Sequence, residues 1–423
     1  MARQPLTPSP FIRIIYIGML ISTLPNGIRY VHLSAPGPAA RCALVINAGS
    51  RDEGETEHGL AHFVEHTVFK GTNKRRACHI LSRLDEVGGE LNAYTTKDET
   101  AIHAAFLEDD LTRAAELIAD MAFNSTFPAP ELDKERDVII DEITSYEDTP
   151  SDLIFDEFED MAFAGTPLGH NILGTPDTVA SFTADDARRF IARTHATDRM
   201  AFAYIGPWPV IKVRKVVERF FGSVTPNVGR PPRAAAGAFS LFDKRKDKQT
   251  CQAHVIIGCA APHSFDADRL DMSVLSNLLG GPSMNSRLSV ALRERNGIAY
   301  NVESNFTTYD DAGLFSVYFG TDRQNISRSL AIVRREIDKL CQAPLSEAAF
   351  ARIMRQFANQ ILMSADDSES LMLSAGRNAI LYGECLSVYE MAAAVRERVS
   401  RESLLRVAQK VLGEAQMSRL VYV

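Results

Sequence analysis

Two histidines and a glutamate, His62, Glu65 and His66, fall within five consecutive residues (HFVEH). At roughly 100° per residue of helix, positions 62, 65 and 66 occupy one sector, so two imidazoles and a carboxylate point the same way. Two such imidazoles can reach one zinc ion at about 2.0–2.1 Å. A carboxylate beside them can take a proton from water held by the metal. The order His-x-x-Glu-His reverses the commoner His-Glu-x-x-His. Three fixed positions in five also arise by chance, and paired histidines on a helix have an ordinary structural reading. A third ligand decides between the two.

The element that must position these groups is an amphipathic helix over 58–72, entered from the acidic loop 51–57. Candidates for the third ligand stand on the acidic helix 131–147: Glu131, Asp133, Glu135, Asp137, Asp141, Glu142 and Glu147. Most of these read as a solvated face. Glu135 and Glu142 lie seven apart, on one face and two turns from each other.

Around them the first half reads as a hairpin about Pro25-Asn26-Gly27, a buried strand at 41–48, the motif helix, a helix at 77–87, paired strands at 90–96 and 100–107, and a helix at 109–124. Helices at 152–164, 183–194 and 209–221 and a strand at 200–205 complete it. Residues 223–250 carry prolines at 226, 231 and 232 and the basic run 244–248, which reads as a linker. The second half then repeats the order of elements: strand 253–260, helices 268–279 and 284–294, strands 299–307 and 313–319, helix 325–341. The fold class expected is α+β. Two duplicated domains, 1–222 and 251–423, each hold a mostly antiparallel sheet covered by helices on one face. The second copy carries no histidine in its first helix.

The 423 residues are 45% hydrophobic and 24% charged, which is ordinary for a globular chain of two or three domains. A net charge of −8 and a pI near 5.8 argue against nucleic acid or an anionic membrane as partner, since either needs a basic face. No apolar run is long enough for a spanning helix. The apolar stretch 11–22 is interrupted by Arg13 and lacks a small-x-small cleavage site. A cytoplasmic protein is expected, with a targeting segment at 1–22 as the lesser alternative. Six cysteines without a CxxC pair read as reduced and buried, Cys251 and Cys259 included.

HGLAHFVEHTVFKGT (58–72), followed by GGELNAYTTKDET (88–100) and LDKERDVIIDEI (132–143), resembles the pitrilysin or insulinase family of zinc metallopeptidases, the inverzincins, and especially its single-half members, which are similar to mitochondrial processing peptidase. The resemblance implies that the third ligand is the glutamate 76 positions after the second histidine, here Glu142. It implies that Glu135 orients a histidine and that Glu65 is the base acting on metal-bound water. Asn92 and Ala93 fall where the family adds a peptide substrate to an edge strand, and LRERNGIAY (292–300) matches its arginine and tyrosine, Arg293 and Tyr300, which reach the substrate carbonyl. Gly280-Gly281-Pro282-Ser283 matches the family's glycine-rich loop with fewer glycines. A chain of this length corresponds to half of a clamshell. A homodimer is therefore implied, with one Zn2+ per chain, peptide substrates in a closed chamber, and Arg293 and Tyr300 serving the partner's zinc. The rival reading is a non-catalytic scaffold or binding subunit on the same fold.

Overall fold

A computed structural model describes residues 19–229, 233–413 and 417–423. Most of the N-terminal segment 1–22 therefore lies outside the described residues. The chain packs as two compact units. One comprises the residues through Ile140 with Ile172–Arg233 and Ser364–Ser387, and the other Asp141–Asn171, Ala234–Met363 and Val388–Val423.

Strands β1 (Met19–Thr23) and β2 (Arg29–Ser34) form the expected hairpin, with Gly27 at φ 98° in its turn. Then come β3 (Ala39–Ile46), α1 (Leu60–Thr67), α2 (Ala77–Asp85), β4 (Glu90–Thr95), β5 (Thr100–Leu107), α3 (Leu111–Asn124), α4 (Ala129–Glu147), α5 (Pro150–Ala162), α6 (Pro176–Ser181), α7 (Ala184–Thr194), β6 (Met200–Gly206) and α8 (Val210–Phe221). The second half contributes β7 (Asp243–Lys246), β8 (Ala253–Ala260), α9 (Arg269–Gly280), a π-helical turn (Ser289–Glu294), β9 (Ala299–Thr308), β10 (Gly313–Thr321), α10 (Ile326–Gln342), α11 (Glu347–Met363), α12 (Ser368–Tyr382), α13 (Val388–Arg398), α14 (Arg401–Leu412) and β11 (Ser418–Tyr422).

The sheets are ordered β1-β2-β6-β3-β5-β4 and β7-β11-β8-β10-β9. Their pairings are antiparallel except β2–β6 and β7–β11. The shared order β6-β3-β5-β4 and β11-β8-β10-β9 makes the duplication visible in space as well as along the chain. β7 lies in the stretch expected as a linker, whose Ala236, Phe239 and Phe242 also pack in the second unit's core.

Alternation along each strand sends successive side chains to opposite faces, so a strand buried on both sides needs two covers. The first sheet turns Phe202 toward Phe221 of α8, with ring centroids 4.8 Å apart. Its other face presents Val31, Val45, Ala203 and Ile205 to Met372, Ala375 and Ala379 of α12. The second sheet sets Val255, Cys259 and Val317 against α9 and α14. On its other face Ile256, Tyr318 and Leu420 meet Ile154 and Phe158 of α5. Helices thus cover both faces rather than one. In each unit one cover comes from the opposite half of the chain, so the packing units exchange segments across the expected boundaries.

Three local expectations are corrected. The motif helix is shorter than 58–72, because Thr67 Oγ1 donates back to Phe63 O at 2.7 Å and Gly71 and Thr72 leave to bridge Arg76 and Ser125. The expected helix 284–294 is mainly the π-helical turn: Asn296 Nδ2 takes Ala291 O at 2.7 Å, and Arg295 N–H reaches Val290 O instead. Cys251 and Cys78 are exposed. Cys251 precedes the strand that begins at Ala253, and Cys78 faces away from the side of α2 that buries Ile80 and Leu84.

Met372 of α12 is fully buried against the first sheet. Met372→Ala should cost about 2–5 kcal/mol in urea unfolding. An unchanged midpoint would mean that α12 is no part of that core.

Candidate metal centre

Helix α1 has eight residues and is capped by Gly59, whose φ of 98° favours glycine. A side chain there would also strike Leu173 O at 2.7 Å, and one at Gly174 (φ 73°) would meet His58 O at 2.3 Å. Two glycines back to back therefore let the chain approach the helix start. The first turn's N–H groups, which have no intrahelical acceptor, are met from outside: Gly59 and Ala61 donate to the two carboxylate oxygens of Glu53 at 2.9 and 2.7 Å. Burial raises the Glu53 carboxyl well above its ordinary range, against the lowering effect of those two bonds. Phe63 is buried and meets Phe182 at 5.5 Å between centroids.

The same helix brings His62, Glu65 and His66 together. The rings of His62 and His66 lie 4.5 Å apart. Glu65 Oε2 stands 4.0 Å from His62 Nε2. From α4, Glu135 Oε1 accepts from His66 Nδ1 at 2.9 Å, and its second oxygen holds Lys70 Nζ at 2.5 Å. Burial alone would raise the Glu135 carboxyl, yet the hydrogen bonds from His66 and Lys70 and the charge of Lys70 outweigh it and hold it below the usual carboxylate value. With Nδ1 donating, the Nε2 lone pair of His66 is directed away from Glu135. Helix α4 is itself tied down where Arg136 donates to Phe182 O at 2.6 Å.

Two turns beyond Glu135 on α4, Glu142 completes a group. One donor atom each from His62, His66 and Glu142 lie within 4.8 Å of one another. A tetrahedral zinc site with arms of about 2.0–2.1 Å has edges of roughly 3.4 Å, so modest side-chain motion brings the three onto one ion. Two neutral imidazoles and a carboxylate are also a donor set suited to zinc. Of the seven acids weighed on this helix, Glu142 is the one that groups with both histidines, while Glu135 meets His66 alone.

Asn92 and Ala93 lie on β4, which closes one edge of the first sheet and packs beside α1. The Ala93 N–H is taken up by its neighbour's side chain, Asn92 Oδ1, at 2.9 Å. Arg293 and Tyr300 lie together in the second unit, the guanidinium 4.7 Å from the ring centroid. They line a 640 Å³ cavity with Gly280, Gly281, Phe155 and Tyr318. Sequence reasoning passed over Glu53, Lys70 and the Gly59–Gly174 contact. Of these only Lys70 had a local signal, four residues after His66 on the same side of the helix. It also passed over Arg233, which holds the loop before α1 by bonding both oxygens of Asp52 at 2.9 and 2.7 Å.

Residues 30–176 match the insulinase (peptidase family M16) family model and residues 181–357 the peptidase M16 inactive domain. A Streptomyces coelicolor protein named as an uncharacterized zinc protease is 35% identical over 404 residues, covering 93% of this chain and 87% of its own. One of the same description from Bacillus subtilis is 32% identical over 385 residues, covering 89% and 93%. Among solved structures, a peptidase M16 inactive domain from Pseudomonas fluorescens (TM-score 0.85, 17% identity, 96% of this chain and 98% of that one) shares the fold. So does a protease from Helicobacter pylori (TM-score 0.85, 19% identity, 96% and 99%).

Glu53→Ala removes the acceptor for two N–H groups at the start of α1. It should lower stability by about 1–3 kcal/mol in urea unfolding, with Glu53→Gln losing less. Equal midpoints for all three proteins would deny Glu53 this capping role.

Proposed function

The chain belongs to the insulinase family, peptidase family M16, and on that premise we propose that it is a zinc-dependent endopeptidase acting on peptides or unfolded segments in a closed chamber. The observation that carries the reading is the convergence of His62, His66 and Glu142, with Glu65 beside His62 and Glu135 on His66. His62, His66 and Glu142 would hold one ion per chain. Zinc bound there supplies Lewis-acid chemistry, making water acidic toward a pKa of about 7 and polarising a carbonyl.

The chain's own groups do the rest. Glu65 takes the proton of the attacking water and returns it to the leaving amine, so hydrolysis needs no covalent intermediate. Glu135 keeps the proton of His66 on Nδ1 and its ring in one orientation. A peptide lying along β4 would add a strand at Asn92 and Ala93, replacing the Asn92 side-chain bond to Ala93 N–H with a backbone bond. This mode reads the backbone and leaves side-chain selectivity loose. Arg293 and Tyr300 orient the substrate and steady negative charge on its carbonyl oxygen. In the assembly proposed, two copies of the chain close as clamshell halves, 1–222 carrying the metal site and 251–423 the Arg/Tyr pair, which serves the zinc of the other copy.

Glu65→Gln should keep its zinc by metal analysis yet cleave a quenched peptide on the order of 10²–10⁴-fold more slowly, while Glu142→Gln should lose zinc and activity together. Zinc bound by the unaltered protein without cleavage of any peptide would favour a scaffold. Mixing Glu65→Gln with Arg293→Ala chains should restore activity, because each mixed dimer then holds one intact site, with Glu65 from the Arg293→Ala chain and Arg293 from the Glu65→Gln chain. No recovery between chains that do exchange would sink action in trans.

A further inference from the structure

The second unit contains two adjoining cavities, of 480 and 120 Å³, that the proposed peptidase chemistry does not use. Asn285, Arg287 and Ala349 line both, which sets Arg287 between them. Arg295 and Lys339 also line the larger cavity, and Arg352 the smaller. Glu336 is the one acid in either lining, and its carboxylate already binds Lys339 at 2.5 Å. The larger cavity thus gathers three cations against one carboxylate, in a chain whose net charge is −8.

Several arginines elsewhere are matched by carboxylates. Arg75 holds Glu116 and Asp120, Arg233 holds Asp52 and Asp98, and Arg419 holds Asp243. Among the described residues no acceptor meets the guanidinium of Arg287, Arg295 or Arg352. Arg295 and Arg352 are exposed and can rely on water, but Arg287 is half-buried. Burial pulls its pKa below the ordinary value, against the raising effect of Glu336. A half-buried guanidinium with no protein acceptor is less fully hydrated than an exposed one and gains from an anion brought to it. The start of α11 at Ser346 and Ala349 turns the positive end of a helix dipole toward the same space.

We propose that this cavity binds a small phosphoryl anion of at least two negative charges, of the size of phosphate or diphosphate. The planar fork of Arg287 takes two of its oxygens and Arg295 adds charge at the rim, while the Asn285 amide in the lining is already paired with Gln356. The site stands independently of the peptidase reading.

Calorimetric titration of the zinc-loaded full chain with inorganic phosphate and with diphosphate tests it. One saturable site is expected, weakening with added salt. Arg287→Gln should weaken binding by at least about tenfold, with Arg287→Lys between, and Arg295→Gln by about threefold or more. Arg295 is exposed, so its variant decides the matter if Arg287→Gln fails to fold. Succinate, a dicarboxylate, should bind at least about tenfold more weakly than diphosphate. The proposal is overturned by no saturable binding, or by succinate binding as tightly as diphosphate. Affinity unchanged in the folded variants, as an anion held by the metal would give, overturns it too.

Discussion

A helix of eight residues does not hold itself together in water, since isolated helices shorter than about 12–15 residues are marginal. Yet the proposed function needs α1 to hold His62, Glu65 and His66 in fixed directions, and much of the first unit clamps those two turns. Glu53 and the Gly59–Gly174 contact secure the N-terminal end. Leu60, Phe63 and Val64 are buried along the inner side. At the C-terminal end Glu135 grips both His66 and Lys70, so one carboxylate fixes an imidazole and the turn that follows it. The proposed chemistry rests on rigidity that the helix borrows from its neighbours.

That borrowing explains what could be read in advance. The face shared by His62, Glu65 and His66 follows from helical periodicity alone, and so does the alignment of Glu135 with Glu142. Strand alternation likewise located the paired strands β4 and β5. Which acid on α4 meets the histidines was not in the periodicity; resemblance pointed to Glu142, and the packing of α4 beside α1 brings it there. The capping by Glu53 left no local trace, because its partners are reached only when the loop folds back. The π-helical turn depends on one side chain, Asn296, capturing Ala291 O. Nor does amphipathicity say which sheet a helix will cover, so the crossing of α5 and α12 was beyond reach.

The duplicated half shows what the same frame does without the metal motif. In the place of α1, α9 carries Asp271, which accepts from Ser403 of α14, and is preceded by Asp268, held by Arg406 and Lys410 at 2.7 Å each. The bond from Arg406 leads in pulling the Asp268 carboxyl down to about 2. Polar positions at this place in the copy thus bind the helix to its neighbours.

The exchange of helices also orders events in time. A chain made from its N-terminus at about 5–20 residues per second completes β6 roughly ten to thirty seconds before α12 emerges. Through that interval the face of the first sheet bearing Val31, Val45 and Ala203 has no helix to lie under it. The two halves therefore cannot mature one after the other like beads on a string. The nascent chain carries an uncovered apolar sheet face through roughly two-fifths of its synthesis, an interval in which that face is open to aggregation.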